Sequence, residues 1–112
     1  MAEVRPPELR TARDLLGLSR ELMSRVLDVS TRSVERWELR GSTSVSPDTQ
    51  RRVTTVSEIA ELAHEVYGDH VPAFMSTPRR SLGMQTPREA LVRGDLDGVR
   101  QALINALEGH WA

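Results

Sequence analysis

The sequence contains no cysteine. That excludes a disulfide framework and a zinc–thiolate site, and it suits a reducing cytosol. Lysine is also missing: all 15 basic residues are arginine. Genomic base composition accounts for this, or a need for the planar guanidinium that meets phosphates and base edges better than an ammonium. Aromatics are scarce, with one Phe, one Tyr and two Trp. They are too few for a stacking platform that binds single-stranded nucleic acid. No apolar run approaches the ~20 residues of a membrane span, and the residues from Met1 to Pro7 form no hydrophobic signal core. A cytoplasmic protein is expected, with no membrane partner. There is no Gly-rich phosphate loop and no paired-ligand metal pattern. His64 and His70 lack an acid and a nucleophile at recognisable spacing. Neither an enzyme, a cofactor nor a metal site is expected.

What is present is a helical pattern. The 112 residues allow one compact domain, or two small subdomains sharing a core. Pro7 opens a helix and Gly17 stops it, with Leu9, Ala12, Leu15 and Leu16 at helical spacing. Ser19 caps a second helix carrying Leu22, Met23, Val26 and Leu27. Ser30 caps a third carrying Val34, Trp37 and Leu39. The stretch from Gly41 to Ser44 reads as a loop. Ser46-Pro47-Asp48 is a strong start to a long fourth helix, whose inward stripe is Val53, Val56, Ile59, Ala60, Ala63, Val66 and Tyr67. Gly68 ends it. A short helical piece holds Val71, Ala73, Phe74 and Met75, and Pro78 closes it. Thr86-Pro87-Arg88-Glu89 is a capping box that begins a short helix ending at Gly94. Asp95 or Asp97 starts the last helix, with Val99, Leu103, Ile104 and Leu107 inward, and Gly109 ends it. No segment alternates long enough to read as a strand. The expected fold is all-α.

The stretch from Arg20 to Trp37 has the spacing of a helix-turn-helix. Met23 and Leu27 face inward, and the small Ser24 between them lets the next helix cross closely. Val29 plugs the core from the turn, and Val34 and Trp37 anchor the second helix. The turn position usually held by Gly is Asp28, a residue that tolerates left-handed backbone better than most. Thr31, Arg32, Ser33, Glu35, Arg36 and Arg40 are left outside, and Arg32, Arg36 and Arg40 share one face. Such a helix can read base edges in the major groove. Arg20 and Arg51 are candidate phosphate contacts. The alternative is a motif used for dimerisation, with the Arg stripe simply solvated. Charge favours the front weakly. The first 56 residues hold ten Arg against eight acids, and the last 56 hold five Arg against eight.

In the back half the landmarks run Phe74-Met75-Ser76-Thr77-Pro78, Leu82-Gly83, Thr86-Pro87, Ala90-Leu91-Val92, Gly94, Val99, Leu103, Leu107, Gly109 and Trp111-Ala112. As an ordered set, behind a helix-turn-helix and a Ser-Pro-acid helix start, they resemble the Xre/MbcA/ParS antitoxin family over roughly residues 18 to 112. The resemblance implies an Xre-like helix-turn-helix domain over residues 1–45, continuous with a toxin-binding and dimerisation domain over residues 46–112. It implies a partner, a RES-domain toxin that destroys NAD, held by a homodimer within a toxin–antitoxin hetero-oligomer. It also implies that Gly109 releases a tail of His110, Trp111 and Ala112 into the toxin's NAD pocket. Thr77, Pro78, Arg79 and Arg80 are further candidate toxin contacts, the two Arg either pairing with acids on the toxin or solvated. Family members often carry Asn-Pro where this chain has Arg79-Arg80, and a second Gly where it has Met84. Binding of operator DNA, and so repression of its own operon, is the further expectation. The alternative is a stand-alone helix-turn-helix regulator whose back half only dimerises.

Overall fold

A computed structural model describes residues 2–4, 6–39 and 43–109 of the chain. Its helices begin where side chains satisfy the orphan N–H groups of a first turn. Helix α1 spans Pro6–Leu16 and ends at Gly17, whose φ of 65° few other residues adopt readily. Ser19 accepts from the Leu22 N–H at 3.1 Å and starts α2, Arg20–Leu27. Ser30 accepts from the Ser33 N–H at 3.0 Å ahead of α3, Thr31–Leu39. Ser46 does the same for Thr49 at 3.2 Å, and α4 then runs unbroken over Pro47–Tyr67. A 3₁₀ turn at Gly68–His70 leads into α5, Val71–Met75. A second one, Arg80–Leu82, lies in the next loop. Both bonds of the capping box form at α6, Pro87–Val92: Thr86 Oγ1 accepts from the Glu89 N–H, and Glu89 Oε1 accepts from the Thr86 N–H. Asp95 caps α7, Leu96–Leu107.

The expected all-α architecture is therefore present, with one small addition. Ala2–Val4 (β1) and Thr43–Val45 (β2) pair antiparallel, Ala2 opposite Val45 and Val4 opposite Thr43. Three residues per strand are too few to show an alternating pattern, so only the loop composition of this stretch was legible.

One core unites the described residues. It runs without a break from Leu9 in α1 to Leu103 in α7 and includes Met23, Val34, Trp37, Ile59, Phe74 and Leu91. Helix α4 is its axis: α7 packs along it, α1 crosses it, and α2 reaches across to α6. An ion pair from Arg100 Nε to Glu58 at 2.9 Å adds a tie between α7 and α4. Two large apolar residues of the expected stripes are outside. Leu39 is 76% exposed and Leu107 46% exposed. Each sits at the last residue of its helix, where the apolar stripe has already rotated past the edge of the neighbouring element. None of the helices with described residues is long and apolar enough to cross a membrane.

Candidate functional site

The front site is built by α2, its turn and α3. The Asp28 backbone lies at φ 57°, ψ 49°, and its N–H bonds back to the carbonyls of Arg25 and Ser24. The turn thus needs the left-handed conformation in which Gly costs least, and Asp supplies it. Ser24 is buried. It donates to the Glu21 carbonyl at 2.5 Å and accepts from Thr31 Oγ1 at 3.3 Å, so the crossing point of the two helices is also a hydrogen-bonded joint. Val34 and Trp37 are buried beneath α3. Thr31, Arg32, Glu35 and Arg36 are exposed and Ser33 half-buried. The sequence-derived face of this helix is therefore assembled as expected, except that Arg40 lies outside the described residues.

Arg20, a candidate phosphate contact, is paired within the fold. Its Nε donates to Glu38 Oε1 at 3.2 Å. Arg13 meets the same carboxylate with two bonds, Nε to Oε2 at 2.8 Å and Nη2 to Oε1 at 2.9 Å, and also donates from Nη1 to the Leu18 carbonyl at 3.2 Å. The Glu38 side chain is only 1% exposed. Burial opposes its charge, but the hydrogen bonds from Arg13 and Arg20 outweigh that, and its carboxyl is held below the ordinary glutamate value. One buried carboxylate on α3 therefore clamps α1 and the start of α2. Sequence reading missed this cluster, although a signal existed. Glu38 is four residues after Val34 and next to Trp37, on the buried side of the helix, where a carboxylate requires a cation. Arg51, the other candidate phosphate contact, is bonded to Asp48, and so is Arg52, through Nε to Oδ2 at 3.2 Å.

The back site is the loop from Thr77 to Gln85. It closes on itself through the Arg79 N–H to the Gln85 carbonyl (3.0 Å) and the Met84 N–H to the Arg79 carbonyl (2.8 Å). Leu82 is buried beneath it. Arg79 packs against two rings of its own chain. Its guanidinium lies 4.7 Å from the centre of the Phe74 ring and 5.6 Å from that of Tyr67, and its Nη2 donates to the Tyr67 hydroxyl at 2.9 Å. The two rings are themselves stacked, 4.7 Å apart. This cation–π sandwich pins the loop to the end of α4 and to α5. Thr77, Pro78 and Arg80 are exposed as expected. Met84 is exposed with φ at 67°, a conformation that explains why Gly suits this position.

Helix α7 ends at Leu107, and Gly109 takes φ 83°. His110, Trp111 and Ala112 lie outside the described residues. Among the described residues no three His, Asp or Glu converge.

Neither a protein-family model nor a curated protein matches the chain. Among solved structures, the crystal structure of the M. tuberculosis MbcT–MbcA toxin–antitoxin complex matches with a TM-score of 0.71 and 25% sequence identity, covering 96% of this chain and 96% of that one. Sequence landmarks and fold thus agree: along nearly its whole length this chain resembles MbcA, the antitoxin of that pair.

Proposed function

We propose that this protein is the antitoxin of a type II toxin–antitoxin pair. The observation that carries the proposal is the match over 96% of both chains to a toxin–antitoxin complex. The partner is a RES-domain toxin that consumes NAD, bound by the back half, residues 46–112. The chain leaves α7 at Gly109, and the segment His110, Trp111, Ala112 enters the mouth of the toxin's NAD pocket and blocks it. A Trp suits this task because it buries a large area and has few rotamers to lose. The front half, residues 1–45, reads operator DNA with Thr31, Arg32, Ser33, Glu35, Arg36 and Arg40 as a two-fold dimer in the cytoplasm. The exposure of Arg32 and Arg36 over a buried Val34–Trp37 anchor supports this.

Co-expression with the product of the adjacent reading frame tests the role. Rescue of growth with co-purification is expected, and a toxin left fully active would sink the antitoxin proposal. Deleting residues 110–112 tests the mechanism separately. If the shortened chain still silences the toxin completely, the blocking tail is wrong while the antitoxin role stands.

A further inference from the structure

The back half of the chain is acidic, yet residues 76–88 hold Arg79, Arg80 and Arg88 and no acid at all. None of the three takes part in an ion pair among the described residues. Arg79 is turned inward onto Phe74. Arg88 is half-buried, with Nη1 3.4 Å from Ser76 Oγ. Arg80 is exposed.

Beside these charges stands Met84. It is 63% exposed, so the fold gains little from its side chain. It also holds φ at 67°, where an L-residue is disfavoured and Gly is not. The conformation is enforced by the bonds around it: Leu82 N–H to the Arg79 carbonyl at 3.0 Å, Gly83 N–H to the Arg80 carbonyl at 3.0 Å, and Gln85 N–H to the Leu82 carbonyl at 3.2 Å. A shallow concavity of about 420 Å³ is lined by Met84 with Thr77, Pro78, Arg79 and Arg80. An exposed apolar side chain on a disfavoured backbone, with the exposed Arg80 lining the same concavity, does little for the free chain. It has the make-up of an interface anchor: Met adapts to an irregular recess, and Arg is enriched at interfaces.

Resting on the antitoxin reading above, we infer that Met84 and Arg80 form a docking knob for the toxin. Met84 enters an apolar recess on the toxin surface, and a carboxylate at the rim of that recess faces Arg80. Arg79 is the positioning residue that holds the loop in place from behind. This contact is separate from the tail beyond Gly109.

The full chain and its Met84→Gly and Arg80→Glu variants are titrated calorimetrically with the RES-domain protein of the adjacent reading frame, and each is melted alone. Met84→Gly is expected to melt at or above the wild-type temperature, because the disfavoured φ is relieved, while its affinity for the toxin falls about tenfold or more. Arg80→Glu is expected to bind more weakly still at low salt and to flatten the salt dependence of binding. If both variants bind as tightly as the wild type, the docking knob is wrong and the antitoxin role survives. If the wild-type chain itself fails to bind, both fall together. A change in mass by light scattering for Met84→Gly, with toxin affinity unchanged, would assign the patch to contact between copies of this chain and overturn the proposal.

Discussion

Replacing Glu38 by Gln removes one negative charge and almost no volume, so it isolates the electrostatics of the α1–α2–α3 clamp. The wild-type carboxylate takes two bonds from Arg13 and one from Arg20, with its own side chain 1% exposed and that of Arg13 16% exposed. Leaving one member of a buried pair without its counter-charge typically costs ~3–5 kcal/mol. Gln still accepts one hydrogen bond, and the Arg20 side chain is 37% exposed and can recover water. The expected loss is therefore at the low end, about 3 kcal/mol. For a chain of this size that corresponds to a fall in Tm of roughly 10–15 °C. The loss should also depend on pH. The folded-state carboxyl is held below its ordinary value, so its contribution is complete above the unfolded pKa of about 4.3 and fades as the pH falls through the lower folded value. Urea unfolding followed by circular dichroism at pH 7 and at several points down to pH 3 gives both quantities. A Gln variant within about 0.5 kcal/mol of wild type at pH 7, or a deficit that stays constant down to pH 3, would refute the buried-clamp account.

Four further substitutions probe other parts of the structure. Asp28→Gly relieves a left-handed residue in the turn at φ 57°, and should raise stability by about 0.5–1 kcal/mol in the same urea assay; a loss would mean that the Asp side chain has a role of its own. Thr86→Ala removes one arm of the capping box and should cost ~1 kcal/mol, with amide hydrogen exchange rising first in α6. Arg32→Ala and Arg36→Ala remove exposed side chains from α3; each should leave the melting temperature unchanged and weaken binding to the chain's own promoter fragment by roughly tenfold in a gel shift, a good base contact contributing ~1–3 kcal/mol. Unchanged retardation would assign this helix to another task.

Taken alone, the sequence determined the helices and where they start and stop. Those features depend on neighbours within a few residues: a Ser, Thr or Asp cap, a Pro in the first turn, a Gly beyond the last. It also pointed to the close crossing of α2 and α3, because Met23, Ser24, Leu27, Val34 and Trp37 are spaced for a local contact, and Asp28 takes the left-handed turn between them. What only the tertiary structure decided is which exposed-looking charges are already committed. Arg13, Arg20 and Glu38 meet across 25 and 18 residues, and Arg79 is drawn onto Tyr67 across 12. The strand pair likewise depends on a partner some 40 residues away. No spacing rule reaches so far along the chain. A guanidinium has no preferred neighbour in sequence, and its partner is whichever carboxylate or ring the packed helices bring within reach. The same packing left Met84 outside, exposed and in a backbone conformation that a Gly would adopt more readily, and so singled out a residue that composition and periodicity alone treat as unremarkable loop.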